Sequence, residues 1–214
     1  MLWIIPAIII SYLIGSVPTA YLFGKIFKGI DIRNFGSGNV GATNALRVFG
    51  KRAGIIVLLI DIFKGVVPVI FIADLVLAKS SIIPGEALRF ILGLICICGH
   101  NWTIFLNFKG GKGVATSLGV LIGLSFKIFV FPKILGIVIL VWLLSFILLR
   151  IVSLSSLLAG ITFPVAALFF QLSKPLIILS FFAAGFIILR HRTNLVRLFQ
   201  GKEPRLSFKK SPHS

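Results

Sequence analysis

The stretch GIIVLLIDIFKGVVPVIFIADLVLA, residues 54–78, is longer than the roughly 20 apolar residues an α-helix needs to cross a bilayer core. A soluble helix hides one stripe and wets the other, so a run apolar all round belongs in lipid or a deep core. Six more apolar runs accompany it, from Leu2 to about Gly24 and near 87–106, 114–131, 134–149, 157–171 and 175–189, each bounded by charge, Gly or Pro. The 134–149 and 157–171 runs are short for full spans, which leaves a five-span arrangement with re-entrant pieces as the alternative to seven. The first run has no Lys or Arg before Lys25. It lacks the basic leader of a cleavable signal peptide and reads as a retained helix.

Composition points the same way. Of 214 residues, 58% are hydrophobic and 13% charged, with a mean hydropathy of +1.11, outside the range of a soluble globular domain. The spans consume most of the chain. The expected fold is therefore all-α, a polytopic membrane helical bundle of seven transmembrane helices forming one membrane-embedded domain over residues 1–214. Lys and Arg number 22 against 5 Asp and Glu, a formal charge of +17. Placed outside the lipid, that charge favours membrane lipid headgroups or anionic substrates. Nucleic acid is not an expected partner, because the basic residues are split among short loops with no long basic stripe. Cys96 and Cys98 lie inside an apolar run and read as small packing residues. A monomer is compatible with this reading.

Seven spans place the connecting segments alternately on two sides. One side then holds Lys25, Lys28, Arg33, Arg47, Lys51, Arg52, Lys109, Lys112, Arg150 and a C-terminal group from Arg190 to Lys210; the other holds Lys79, Arg89, Lys127, Lys133 and Lys174. By the positive-inside rule the N-terminus is outside and the C-terminus cytoplasmic. The same parity gathers the Gly-, Asn- and Ser-rich loops near 25–52, 107–113, 150–156 and 190–214 on the cytoplasmic face, as an interfacial active site requires. A channel or transporter would spread its polar residues through the middle of several spans. The exceptions here are Asp61 and Lys64 of DIFKG, spaced for a local ion pair on one helical face.

Three polar segments carry the chemistry. In RNFGSGNVGATNALRVFG, residues 33–50, Gly36, Gly38 and Gly41 match GxGxxG, but no strand precedes them and no soluble βαβ unit surrounds them, so the dinucleotide reading fails. The glycines still let backbone N–H groups converge on an anion, with Ser37, Asn39, Thr43 and Asn44 adding side-chain donors and Arg47 a fixed charge. The competing reading is a Gly-rich turn whose Ser and Asn cap a helix. The second segment, Asn107-Phe108-Lys109-Gly110-Gly111-Lys112-Gly113, lacks Walker A spacing. Two lysines among three glycines at a helix start nevertheless suit a phosphate. In the third, Arg190-His191-Arg192-Thr193-Asn194, His191 and Asn194 share a helical face. His100 sits late in a span, where a polar residue needs a partner. Five residues beyond His100 stands Phe105 and beyond His191 stands Val196, so the HxxxxD pair of acyl-CoA-dependent acyltransferases is missing. There is no GxSxG elbow and no metal-ligand cluster in the sequence, and no cofactor or metal is expected.

GSGNVGATNALR (36–47), GHNWTIFLNFKGGKGVAT (99–116) and RHRTN followed by GKE (190–203) together resemble the three cytoplasmic motifs of the bacterial acyl-phosphate-dependent glycerol-3-phosphate acyltransferase family. The resemblance extends to DIFKG (61–65) and VSLSS (152–156), departing at Trp102 and Thr103, which stand where an aromatic–Pro pair is usual. It implies an enzyme of the bacterial inner membrane that moves a fatty acyl group from acyl phosphate to the sn-1 hydroxyl of glycerol 3-phosphate. The products would be lysophosphatidic acid and phosphate, the first acylation of phospholipid synthesis. By carry-over, Ser37, Arg47, Lys112, Ser156, His191 and Asn194 would bind the two phosphates and orient the hydroxyl. Gly38, Gly110, Gly111 and Gly113 would give close backbone approach. Two dianions about 6 Å apart at an effective dielectric near 20 repel by roughly 10 kcal/mol, so several fixed cations are needed. The expected proton acceptor is a substrate phosphate oxygen, with His191 as the rival. An organophosphate transporter and an acyl-CoA-dependent acyltransferase are the alternative functions.

Overall fold

The computed structural model describes residues 2–206, so Lys209, Lys210, His213 and the end of the 190–214 segment lie outside the described residues. Every regular element among the described residues is helical: α1 (Ile4–Ser16), α2 (Thr19–Lys28), α3 (Ala42–Phe49), α4 (Lys51–Val67), α5 (Ala73–Leu77), α6 (Gly85–Asn101), α7 (Val114–Ser125), α8 (Phe131–Leu149), α9 (Val152–Phe169), α10 (Lys174–Arg190) and α11 (Arg192–Phe199), with short 3-10 turns at Ile32–Asn34 and Ile104–Leu106. A π-turn at Pro68–Ile72 joins α4 to α5, making one apolar helix of 27 residues, Lys51–Leu77.

Each of the seven apolar runs contains helix, but they are unequal. Four are long and apolar enough to cross a bilayer unaided: Lys51–Leu77, Gly85–Leu106, Phe131–Leu149 and Val152–Phe169. Two bent pairs, α1 with α2 at 46° and α10 with α11 at 63°, raise the count to six. The runs that looked short, 134–149 and 157–171, begin earlier than their apolar cores and form helices of 19 and 18 residues. The short element is α7, with 12 residues, about 18 Å at 1.5 Å per residue against a hydrocarbon core of about 30 Å.

Pro18 and Pro68 disturb two of these helices, and polar side chains take up the carbonyls they leave without a donor. The first run is two helices, not one, because Pro18 lacks the N–H that would continue α1. The carbonyls released there find other donors: Thr103 Oγ1 donates to the Ser16 carbonyl at 2.5 Å and Lys64 Nζ to that of Val17 at 3.0 Å. Pro68 likewise cannot bond the carbonyl four residues back, on Lys64, and that oxygen accepts from the Cys96 thiol at 3.2 Å. Arg89 Nη1 reaches the Val69 carbonyl in the π-turn at 2.9 Å.

Lipid offers helices little hydrophobic reason to associate, so close backbone approach through small residues has to hold them. A Cβ on Gly15 would collide with the Cys96 carbonyl and one on Gly99 with that of Tyr12, locking α1 to α6. Gly65 meets the Thr116 carbonyl and Gly119 that of Ile62 in the same way, locking α4 to α7. Farther from the polar loops, Phe90, Leu121, Phe131, Phe163 and Leu176 close a core shared by α6 to α10. Gly119→Ala is expected to cost about 1–3 kcal/mol by overpacking, whereas Gly136, with nothing within 4 Å of its would-be Cβ, should accept Ala unchanged. Thermal unfolding of the two variants in detergent checks the contrast.

Candidate active site

The polar loops meet at one cavity of about 620 Å³. Ser37, Asn39, Thr43, Asn44, Arg47, Lys112, Gly113, Ser156, His191 and Asn194, all expected from the sequence, line it together with Ser153, Arg197 and Glu203. Away from these residues the wall turns apolar, through Trp142 and Val138 of α8, Ala159 and Phe163 of α9 and Ala183 of α10. From Ser153 to Phe163 along α9 is about 15 Å by helical rise. One end of the cavity is therefore cationic and hydrogen-bonding, and the other matches hydrocarbon.

The cationic end is assembled around one carboxylate. Glu203 Oε1 accepts from Ser153 Oγ at 2.7 Å and Asn194 Nδ2 at 2.5 Å, while Arg197 Nε donates to Oε2 at 2.7 Å. Asn194 passes the constraint on, because its Oδ1 accepts from Lys112 Nζ at 2.5 Å. Burial works against the Glu203 charge, but the donors from Arg197, Ser153 and Asn194 outweigh it and hold the carboxyl below its ordinary pKa. It stays ionised.

Arg190 anchors the second loop from outside the cavity. Its Nε and Nη2 donate to the Gly111 and Gly110 carbonyls at 2.9 and 2.8 Å, and its guanidinium lies 5.8 Å from the Trp102 ring centre. The expected approach of Gly110 and Gly111 to a ligand is replaced by approach to α6: a Cβ on either would strike the His100 backbone or ring. Those two glycines, and Gly38, do not line the cavity. Asn44 is also committed to shaping a loop, since its Oδ1 accepts from the Ser37 N–H at 2.9 Å and its Nδ2 donates to the Phe35 carbonyl at 3.0 Å. Gly36, at φ 59°, passes so close to that amide that a side chain would not fit. By contrast Ser37, Asn39, Thr43 and Arg47 make no side-chain hydrogen bond among the described residues and face the cavity uncommitted. Ser156 receives Trp142 Nε1 at 3.3 Å and donates to the Val152 carbonyl. Lys109 is exposed and off the cavity wall, unlike Lys112.

His191 sits at the sharp turn between α10 and α11, 2% exposed. Its Nδ1 lies 2.8 Å from the Ile187 carbonyl; a carbonyl only accepts, so the ring proton is on Nδ1 and Nε2 keeps its lone pair. Burial first, and the Lys112 charge second, push the imidazole down to about 4, leaving it neutral near pH 7.

Residues 5–201 match the family model described as glycerol-3-phosphate acyltransferase. The chain belongs to that family. A glycerol-3-phosphate acyltransferase of Prochlorococcus marinus (strain NATL1A) is 46% identical over 92% of this chain and 94% of its own length. One of Staphylococcus saprophyticus is 43% identical over 96% and 98%. Crystal structures of PlsY, an integral membrane glycerol 3-phosphate acyltransferase, superpose with TM-scores of 0.83 in its glycerol 3-phosphate form and 0.80 in its lysophosphatidic acid form. They are 35% and 34% identical to this chain, and each alignment covers 95% of it and at least 95% of the crystallised chain.

Two charged residues of the cavity wall, Glu203 and Arg197, had no role in the sequence reasoning. Glu203 was visible as the acid of GKE and Arg197 as one charge in a basic tail, but only folding of residues 201–206 back toward Arg150, whose carbonyl accepts from the Leu206 N–H at 2.8 Å, makes them part of the wall. Burial pushes the Lys112 ammonium down to about 8, with Glu203 opposing the drop and Arg197, Arg47 and Arg190 adding to it. Activity carried by that charge should fall as pH rises through about 8, and the fall should vanish in Lys112→Arg, whose guanidinium stays protonated. Unfolded, the same group titrates at 10.5. The fold binds this proton more weakly than the unfolded chain does, so deprotonation between the two values favours the fold and the lost activity is not lost structure. A pH–rate profile beside a thermal unfolding series separates the two.

Proposed function

We propose that the enzyme transfers a fatty acyl group from acyl phosphate to the sn-1 hydroxyl of glycerol 3-phosphate, releasing lysophosphatidic acid and phosphate at the cytoplasmic face of the bacterial inner membrane. In this reading seven segments cross the bilayer, with the N-terminus outside, the C-terminus inside, and the whole chain as one domain. The carrying observation is the single cavity that joins a cluster of fixed cations to an apolar channel between α8, α9 and α10. The acyl donor has that shape: a phosphate head on a hydrocarbon tail.

The two substrates repel through their phosphates, and Arg47, Lys112 and Arg197 offset that repulsion while Ser37, Asn39 and Thr43 supply hydrogen bonds without further charge. His191 Nε2 and Asn194 orient the attacking hydroxyl and the phosphates. Attack by the sn-1 oxygen on the donor carbonyl carbon forms the ester C–O bond. The bond from that carbon to the phosphate oxygen breaks, and the hydroxyl proton moves to a phosphate oxygen. Phosphate is already a good leaving group, so the protein's contribution is proximity and charge compensation rather than a strong acid. Ser156 and Trp142 border the crossing from head to tail.

Incubating the purified protein with labelled glycerol 3-phosphate and either acyl phosphate or acyl-CoA, then measuring lysophosphatidate and free phosphate, tests the reading. Product with acyl phosphate is expected, and product from acyl-CoA alone overturns the donor. In the same assay Lys112→Ala should abolish turnover, whereas Lys109→Ala, on an exposed side chain off the cavity wall, should cost less than about tenfold. Equal losses would overturn that ranking.

A further inference from the structure

The excursion that leads into the Lys112 loop carries an apolar tip. Leaving α6, the chain makes the 3-10 turn Ile104–Leu106 and then reverses over Asn107 and Phe108. The Lys109 N–H donates to the Leu106 carbonyl at 3.1 Å and the Phe108 N–H to that of Thr103 at 2.8 Å. Both central residues of the reversal have positive φ, 52° at Asn107 and 61° at Phe108, the pattern of a type I′ turn, in which asparagine followed by glycine is the unstrained pair. Here phenylalanine stands where glycine belongs. A bulky residue at positive φ is held against a steric penalty, yet the ring meets too little protein to offset it. Phe108 is 57% exposed, beside Phe105 at 58% and Ile104 at 50%. Lys109 is the one charged residue between His100 and Lys112, and it too is exposed.

Two helices fix the depth of this tip. Its inward side chain, Leu106, shares a core with Val57 of α4 and Ala20 of α2. Val57 is about 9 Å by helical rise from Lys51 at the start of α4, and Ala20 about 12 Å from Lys28 at the end of α2. Lys28, Lys51 and Arg52 are exposed and mark the end of the bundle proposed to face the cytoplasm. The tip therefore lies on the order of 10 Å inside a cationic rim, the depth at which interfacial elements rest in the boundary between headgroups and acyl chains.

The chemistry of the tip selects its partner. A loop in water would be polar, and a protein docking from the cytoplasm would have to reach below the rim. Three large apolar groups beside one long cation match a lipid leaflet, the rings among the upper acyl carbons and the ammonium reaching back to headgroup phosphates. We propose that Ile104, Phe105 and Phe108 insert into the leaflet as a lipid anchor, with Lys109 on anionic headgroups, and so set the depth of the Lys112 loop. Burial in lipid is what holds Phe108 in a conformation suited to glycine. None of these four residues lines the reaction cavity, so the surface is separate from it and independent of the acyl donor.

Spin labelling reads the depth directly. Full-length protein carrying Phe108→Cys, Phe105→Cys or Lys51→Cys is labelled and reconstituted in vesicles of phosphatidylethanolamine and phosphatidylglycerol. Collision with oxygen, which partitions into lipid, is compared with collision with a water-soluble nickel chelate. Cys96 is buried and Cys98 half-buried within α6, and the wild type taken through the same steps subtracts any signal from them. The first two labels should favour oxygen and lie about 5–10 Å below the phosphates, while the third favours nickel. A further label, by Lys109→Cys, should gain at least about twofold in nickel accessibility when Phe105→Ser and Phe108→Gly are added, since the anchor is then gone and glycine is at ease in the turn. If the first two labels meet nickel as freely as the third, the tip is in water and the proposal is overturned. Labels shielded from both reagents lie under protein, such as a second copy of the chain, and overturn it equally. An unmoved Lys109→Cys label also overturns it, because the apolar groups would not be what holds the loop. If Phe108→Cys does not fold, Phe105→Cys, outside the strained turn, gives the same reading.

Discussion

Positive charges that repel one another have to be fixed in place before any anion arrives, and this is the constraint around which the polar end of the molecule is arranged. Two unit charges about 6 Å apart at an effective dielectric near 20 repel by roughly 3 kcal/mol, and Lys112 has three arginines for neighbours. The protein does not neutralise them one by one. A single carboxylate, Glu203, receives Arg197 directly and Lys112 through Asn194, and Arg190 is held by backbone carbonyls and an indole face. Arg47 keeps its charge uncompensated on the wall. The cluster is thus rigid yet still strongly positive, which is the state an incoming phosphate can use without first reorganising the protein.

The helical runs were legible because lipid removes ambiguity: a segment with no water to bond must satisfy its backbone within itself. Their ends were less so. Hydropathy averages over Pro18, and the break it causes is visible only where Thr103 and Lys64 fill the carbonyls it frees. Thr103 itself, read as a local departure from the family pattern, is the residue that ties the second loop to that break. The length of α7 was overestimated because, apart from Lys127, residues 126–130 remain apolar after the helix has stopped.

At the site, charge and hydroxyl placement survived folding better than the glycines did. Absence of a Cβ serves close approach to a ligand and close approach to another helix equally well, and sequence cannot separate the two. Gly113 reaches the cavity, whereas Gly110 and Gly111 back onto His100. Asn44 illustrates the same ambiguity for a polar side chain: it looked like a donor to an anion and proves to be a strut inside its own loop. Glu203 was hidden for the opposite reason, since its importance depends on a contact between the chain near Ser153 and a segment 50 residues later.

The brevity of α7 bears on how a charged metabolite meets an oily one. Helix α4 continues from Asp61 back to Lys51, about 15 Å by rise, beyond the level at which α7 begins. The Lys112 loop consequently lies level with the middle of α4 rather than with its Lys51 end. In the proposed reaction a soluble phosphate reaching that loop would meet guanidinium and ammonium groups before losing all its hydration, so the Born penalty of entering hydrocarbon would not be incurred in full. In the same reading the fatty partner would keep its tail along the apolar wall of α8, α9 and α10 while its head meets the charged end of the cavity.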